Sequence, residues 1–269
     1  MSPIRIAIHG AAGRMGKRLV ALAALDRELS LQAALESATH PDMGKDAGEI
    51  AGVGRLGVTL TTPLNREVDA VIDFSVPEAT EAIVATCLSR SLPLVVATTG
   101  LSSAQKDQLM KVARQIPIVH APSMSLAVNL AMKLAATAAA GLKQYPSGVD
   151  VEIVERHHRF KEDAPSGTAL RFGEIIAGVM GQTQHVHGRE GRTGQRPRHE
   201  IGYHALRVGD NPGEHTLVFG LMGETVELTV KATNRDCYAL GALTAAKFVA
   251  GKSPGLYSMY DVLGLDVDH

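Results

Sequence analysis

The chain begins with an apolar strand, Ile4-Arg-Ile-Ala-Ile-His9, that runs straight into Gly10-Ala-Ala-Gly13-Arg-Met-Gly16 and then into a helical stretch, Lys17 to Leu25. A strand delivered through a G-x-x-G-x-x-G turn into a helix leaves few folds open. The glycines allow a tight turn, close backbone approach to a pyrophosphate and close helix–strand contact, and the helix start offers N–H donors with no intrahelical partner. A glycine loop alone is a weak signal. Here, however, a second apolar run, Leu29 to Leu35, ends at Glu36, 20 residues after Gly16, a spacing that suits a carboxylate accepting hydrogen bonds from an adenosine ribose.

Further strands alternate with helices: Gly57 to Leu60, Ala70 to Ser75, Leu94 to Thr98 and Ile116 to His120, with helical runs over Pro77 to Ser89 and Ser102 to Gln115. This alternation predicts a Rossmann-type α/β domain with a doubly wound parallel sheet, whose ligands lie outside the carboxyl ends of the strands. Those ends carry Gly10, Asp73-Phe-Ser75, Ala97-Thr-Thr-Gly100 and Ala121-Pro-Ser-Met124. Thr98 and Thr99 are candidates to face a nicotinamide and its ribose, with turn formation before a helix capped by Ser102 as the competing role. After the long apolar segment Leu126 to Leu142 the pattern changes. A strand, Val149 to Glu155, a helix capped by Ser166 and three closely spaced strands (Ile201 to Val208, Thr216 to Leu221, Glu224 to Ala232) predict a second, α+β domain with a mixed or antiparallel sheet. The last helical run, Leu240 to Ala250, is expected to return to the first domain. The expected domains are therefore 1–127 with 236–269, and 128–235, with the two crossings as candidate hinges.

The chemistry concentrates in Glu155-Arg-His-His-Arg-Phe-Lys-Glu-Asp-Ala-Pro-Ser-Gly-Thr168. Ser166 precedes an apolar-periodic run and reads as a helix N-cap. The N–H groups that follow it sit at the positive end of a helix dipole and suit a carboxylate or phosphate, which would lie near His157, His158 and Lys161. The segment His185 to His199, with an H-x-H pair and several arginines, reads as a flexible Gly-rich loop; no third and fourth ligand at fixed spacing supports a metal. With 27 Lys and Arg against 28 Asp and Glu, the chain has no general attraction for nucleic acid or an anionic membrane, so any anion must be held by local charge. Trp is absent and only ten residues are Phe or Tyr, so the cores are expected to be aliphatic. Two distant cysteines, Cys87 and Cys237, fit a reducing cytoplasm, and neither a signal peptide nor a membrane span is expected.

The segments Gly10-Ala-Ala-Gly-Arg-Met-Gly16, Asp73-Phe-Ser75, Ala97-Thr-Thr-Gly100, Glu152-Ile-Val-Glu-Arg-His-His-Arg-Phe-Lys161 and Asp163-Ala-Pro-Ser-Gly-Thr168, with the late Arg235, resemble those of the 4-hydroxy-tetrahydrodipicolinate reductase family, the DapB-type dihydrodipicolinate reductases. The resemblance runs along nearly the whole chain, and the His-His…Lys…Pro-Ser-Gly-Thr signature is its specific part. It implies hydride transfer from NADH or NADPH to a cyclic, nitrogen-containing dicarboxylate with loss of water, in lysine and diaminopimelate synthesis. On this resemblance His157 is the general acid and Lys161 the second catalytic group. His158, Gly167 and Thr168 bind substrate, joined by Ser166 as the cap. Gly10, Ala11, Ala12, Gly13, Arg14, Met15, Glu36, Ala97, Thr98, Thr99, Ala121, Pro122, Ser123 and Met124 contact the cofactor, no metal takes part, and the subunits form a homotetramer through second-domain sheets. The chain departs from the family at Ser123-Met124-Ser125 and Ala127, where Asn-Phe-Ser and a Gly are common. It also has Ser37, not the frequent Arg, after the ribose-binding acid. NADH is therefore the expected preference, with Arg14 and His40 left as partners for a 2′-phosphate. Two other readings are a semialdehyde dehydrogenase, which needs a thiolate that mid-helix Cys87 and motif-free Cys237 do not suggest, and a dinucleotide-sensing regulator, which gives the double His and Lys no role.

Overall fold

A computed structural model describes residues 2–265, which form twelve strands and eight helices. In chain order these are β1 (Ile4–His9), α1 (Arg14–Ala23), β2 (Leu29–Leu35), α2 (Ala47–Ala51), β3 (Leu60–Thr61), β4 (Ala70–Asp73), α3 (Pro77–Ser89), β5 (Leu94–Val96), α4 (Ser103–Val112) and β6 (Pro117–His120). There follow α5 (Leu126–Leu142), β7 (Asp150–His157), α6 (Gly167–Met180), β8 (Gln184–His187), β9 (Glu200–Arg207), β10 (Gly213–Leu221) and β11 (Glu224–Ala232). The chain then runs through α7 (Asp236–Val249), β12 (Gly255–Tyr257) and α8 (Met259–Val262). It divides into two compact units, Met1–Leu126 with Asp236–His269, and Ala127–Arg235.

The first unit is a seven-stranded sheet in the order β12-β6-β5-β4-β1-β2-β3, parallel at every pairing. Successive residues of its central strands point to opposite faces, and both faces are covered. Ile6, Ile8, Ile72, Val95 and Val119 pack with Leu19 and Val20 of α1 and with Ala242, Leu243 and Ala246 of α7. Ala7, Val71, Leu94, Val96 and Ile118 pack on the other side with Ile83, Val84 and Cys87 of α3 and Leu109 of α4. Local signals fix the helix starts: Pro77 opens α3, and Ser102 and Gln105 form a reciprocal capping box on α4. The small buried face of α7 (Ala239, Gly241, Ala242, Ala245, Ala246) fits it closely against the sheet. Three elements lie outside the sequence expectation. The short helix α2 is built by Asp46, whose carboxylate accepts from the backbone of Gly48, Glu49, Leu56 and Gly57. The three-residue edge strand β12 and the single turn α8 are too brief to carry a periodic pattern. The strand expected over Gly57 to Leu60 is reduced to Leu60–Thr61 with an isolated bridge at Thr59.

The second unit is a mixed sheet ordered β11-β10-β7-β9-β8, antiparallel through β10 and parallel among β7, β9 and β8. Helix α6 packs on one face against β7 and β9, and Phe172 and Ile176 are buried, as are Val151, Ile153, Leu217 and Phe219 of the strands. The expectation of a loop from His185 needs correction. Residues 184–187 pair in parallel with β9, and His185 and His187 pack on the Tyr203 ring at 5.6 and 5.2 Å between centroids. An edge strand of four residues shows too little alternation to be read from sequence. The arginines beyond it are also tied down. Arg189 and Arg196 both bond the Glu152 carboxylate, Arg196 reaches the carbonyls of Val151 and Glu200, and Glu152 is pushed down to about 2 despite its burial by these two guanidiniums and His204.

Candidate active site

In the first unit the chain leaves β1 through Gly10, whose φ is +80° and whose missing side chain matters, since a Cβ there would sit 2.6 Å from the carbonyl oxygen of Phe74. Gly16 is tighter still, with a built Cβ only 2.0 Å from the Gly10 carbonyl oxygen. The loop thus folds flat on the start of α1, whose N-cap is Gly13 and whose first turn has no side-chain cap. Beside it opens a cavity of about 840 Å³, lined by His9, Gly10, Gly13, Arg14 and Met15, by Glu36, Ser37 and Ala38, by Thr62 to Leu64, and by Phe74, Ser75, Ala97, Thr98 and Thr99. The Glu36 carboxylate is fixed at the end of β2, accepting from the N–H of Ala12 at 3.0 Å and of Ser37 at 2.9 Å. An uncapped helix start beside a glycine cradle, with a fixed carboxylate in the same cavity, fits a dinucleotide: N–H donors for the pyrophosphate and an acceptor for ribose hydroxyls.

Of the expected cofactor residues, Gly10, Gly13, Arg14, Met15, Glu36, Ala97, Thr98 and Thr99 share this cavity. Ala11 and Ala12 lie behind it in the core, and among the described residues Ala121, Pro122, Ser123 and Met124 do not line it; Ala121 and Met124 are core residues. Asp73, which the sequence places at a strand end near the ligand, has a role that the strand pattern does not show. This fully buried carboxylate accepts from His9 Nδ1 (2.8 Å), Ser75 Oγ (2.6 Å), Thr80 Oγ1 (2.8 Å) and Thr98 Oγ1 (2.9 Å). Burial alone would push its pKa up, but these donors and the charge of His9 hold it below the ordinary range. It joins the ends of β1, β4 and β5 beneath the cavity.

In the second unit the site follows from the period of two along its strands. Val151, Ile153, Glu155 and His157 alternate onto the buried face of β7, so the apolar stripe ends in a carboxylate and an imidazole. Register sets their neighbours: Arg207 of β9 lies beside His157, and His215 of β10 lies opposite Glu155. Glu155 has no exposed surface and accepts from His157 Nδ1 at 2.5 Å, from Arg207 Nη1 and Nη2 at 2.9 and 2.8 Å, and from the Ser166 N–H at 3.0 Å. Burial raises its pKa, and the bonds from Arg207, His157 and Ser166 outweigh that and leave it lowered. Burial likewise lowers the His157 pKa, with Lys161 and Arg207 adding to the effect and Glu155 opposing it.

Ser166 caps α6, its Oγ accepting from the Ala169 N–H at 3.2 Å and lying 2.9 Å from His215 Nε2. Its hydroxyl is thus already engaged. Gly167 is exposed and Thr168 half-buried, and as first-turn residues their N–H groups have no intrahelical acceptor. Beyond β7 the turn His158 to Lys161 is held by the carbonyls of Asn211 and Gly209, which accept from His158 and Arg159. The Lys161 ammonium is paired with Asp163 at 2.7 Å, and among the described residues the buried Nδ1 of His158 has no partner. Glu155 thus links His157 to the start of α6; from sequence it stands out only as the first residue of the motif, and Arg207 and His215 do not stand out at all.

The residues from the N-terminal strand to Met124 and those from Ala127 onward match two halves of a single family. Residues 4–124 match "Dihydrodipicolinate reductase, N-terminus" and residues 127–263 match "Dihydrodipicolinate reductase, C-terminus". The chain belongs to the dihydrodipicolinate reductase family. The family's C-terminal part contains the whole Glu155–His157–Ser166 cluster, and its N-terminal part the glycine cradle. Among its relatives, 4-hydroxy-tetrahydrodipicolinate reductase of Rhodopirellula baltica is 58% identical over 98% of this chain and 97% of its own length. The enzyme of the same name from Pseudoalteromonas atlantica is 46% identical over 97% and 99%. Among solved structures, a dipicolinate-bound dihydrodipicolinate reductase from Paenisporosarcina superposes with a TM-score of 0.78 at 25% identity, covering 96% of this chain and 98% of that one.

Proposed function

We propose that this protein reduces 4-hydroxy-tetrahydrodipicolinate to tetrahydrodipicolinate, consuming one reduced nicotinamide dinucleotide and one proton and releasing water, in lysine and diaminopimelate biosynthesis. The observation that carries this reading is near-full-length identity of 58% to a reductase of that name, in a chain whose buried histidine shares the Glu155 carboxylate with the start of a helix. A reduced nicotinamide supplies the hydride when bound. Adding it to a conjugated imine drives electrons into the substrate ring, so a group on the protein must deliver a proton. We assign that proton to His157. Lys161, through its ammonium, stabilises developing negative charge or donates in turn. One substrate carboxylate is assigned to the N–H groups of Gly167 and Thr168 with His158 nearby, while Ser166 contributes as the cap. The Paenisporosarcina relative, bound to the planar dicarboxylate dipicolinate, supports a ligand of this class.

On the cofactor side NADH is the assigned preference. Ser37 provides no cation for a 2′-phosphate, and the fixed Glu36 carboxylate beside it repels one. Cys87 gives no support to thiolate chemistry: burial, with Asp73 nearby, pushes its thiol up to about 12. Free cysteines fit a reducing cytoplasm, and among the described residues no helix is long and apolar enough to cross a membrane. The edge strand β11 leaves Val226 exposed and the turn leading into it leaves Met222 exposed, an apolar margin that suits assembly of the proposed homotetramer; light scattering that gives a monomer refutes it.

The test is to generate the substrate in place from pyruvate and aspartate semialdehyde with its synthase and to follow NADH and NADPH absorbance separately. Synthase-dependent oxidation with higher kcat/KM for NADH is expected. Oxidation favouring NADPH overturns the preference alone. Binding of NADH without oxidation overturns the substrate.

A further inference from the structure

Glu155 holds both halves of the substrate side at once. One oxygen takes His157 Nδ1 at 2.5 Å, and the other takes the backbone N–H of Ser166 at 3.0 Å, the residue that starts α6. Arg207 spans the two oxygens with parallel bonds of 2.9 and 2.8 Å, a bidentate pairing that keeps the carboxylate ionised and fixes its plane. An ionised carboxylate can only accept, so the Nδ1 facing it must carry a proton. Neutral His157 then presents Nε2 as its free nitrogen. Gly213 leaves room there, since a Cβ at this position would stand 2.9 Å from Nε2.

We propose that Glu155 is a positioning residue for the reaction: it fixes His157 in the Nδ1–H tautomer with Nε2 free for the proton delivered to substrate, and sets that nitrogen's distance from the anion-binding start of α6. This rests on the reading of His157 as the acid. The groups facing His157 are Glu155 on its own strand, Lys161 on the turn that follows, Arg207 on β9 and His215 on β10, whose ring lies 5.2 Å away edge-on. Glu155 is the sole anion among them. Removing its charge leaves the protonated ring facing cations and a neutral imidazole, so His157 gives up its proton at lower pH.

The test compares wild type with Glu155→Gln. The kcat is expected to fall about a hundredfold, as for loss of other carboxylates that orient a histidine. The alkaline limb of kcat is expected to move down by about one pH unit, with NADH affinity unchanged. A role confined to stability would lower the melting temperature and leave the limb in place, and that result overturns the proposal. The second readout needs no activity and is made on the wild-type protein. In 15N-histidine-labelled wild type, with the His157→Asn variant identifying the signal, neutral His157 should show the proton on Nδ1; a proton on Nε2 overturns the proposal. If the wild type oxidises no NADH with substrate, the functional reading falls while this tautomer measurement still decides the geometry.

Discussion

Two glycines in one loop should both lose ligand affinity, but only one of them stability, when each gains a methyl group. At Gly16 the new Cβ would stand 2.0 Å from the Gly10 carbonyl oxygen and 2.6 Å from Ala11 Cα, both backbone atoms. Restoring an ordinary contact of 3.4 Å requires the loop and helix to separate by the difference, 3.4 − 2.0 = 1.4 Å. Overpacking of this kind costs about 1–3 kcal/mol, and from the middle of that range, about 2 kcal/mol, alanine's better helix propensity recovers up to about 1 kcal/mol. The net loss of about 1–2 kcal/mol lowers the melting temperature by about 2–8 °C in a protein of this size. The displaced N–H donors should also lose one charge-assisted bond to the pyrophosphate, roughly ten- to a hundredfold in NADH Kd. At Gly13 the built Cβ meets only the Gly10 oxygen, at 3.2 Å, and a φ of −67° suits alanine. Gly13 lines the cavity, however, so its methyl group stands where the ligand would. Gly13→Ala should therefore melt within about 2 °C of wild type yet lose NADH affinity about as severely. Calorimetry of the free protein and NADH fluorescence titration give the two axes. A Gly16→Ala variant that melts and binds like wild type, or a Gly13→Ala variant that melts as low as Gly16→Ala, refutes the reasoning.

Lys161→Ala should reduce kcat by about 10²–10⁴ with NADH Kd unchanged in fluorescence titration; equal losses in both would contradict separate substrate and cofactor sites. His215 is buried, and burial, with the charge of His157, lowers its pKa to about 4 from 6.5. Between those values the unfolded chain binds the extra proton, so the His215 contribution is intact above pH 6.5 and is lost as pH falls through 4, by about 3 kcal/mol in all. Denaturation of wild type and His215→Gln from pH 7.5 to 4 should show the gap between them narrow by that order, and parallel curves would exclude it. Pyridine-2,6-dicarboxylate should inhibit competitively against the cyclic substrate, and noncompetitive kinetics would move the dicarboxylate site elsewhere. Cys87→Ala with Cys237→Ala should retain activity within about threefold, and abolition would reinstate a thiolate step.

The parallel sheet was legible because each of its central strands is a short apolar run punctuated by glycine, proline or a helix cap, as Ile4 to His9 before Gly10 and Leu94 to Val96 before Thr98 show. The short edge elements β8 and β12 were not, since three or four residues paired on one side carry little alternation. In the second unit the dense motif from Glu155 to Thr168 drew attention to itself, while its supports are scattered over 60 residues, from Glu155 to His215 (215 − 155). A signal for them does exist. Val151 and Ile153 lead to Glu155, Ile201 and Tyr203 lead to Arg207, and Phe219 and Leu217 lead to His215, so three strands carry inward apolar stripes that each end in a titratable group. Reading it requires the pairing register, which sequence periodicity does not supply. Asp73 is a similar case: an acidic residue at a strand end looks solvated until the hydroxyls of Ser75, Thr80 and Thr98 are known to converge on it.

The return of α7 to the first unit has a consequence for how the chain is made. On the ribosome, Ala127–Arg235 is one uninterrupted segment, complete before Asp236 is added, whereas the strands that precede it must wait for a helix encoded more than a hundred residues later. At ordinary synthesis rates that delay is roughly 5–20 s. Throughout it the face formed by Ile6, Ile8, Ile72, Val95 and Val119 lacks its α7 cover. Released chains truncated after Arg235 should accordingly be cut by protease in their first 126 residues and resist across 127–235. The surface that becomes the centre of the nucleotide-binding unit is, until then, a place for a chaperone.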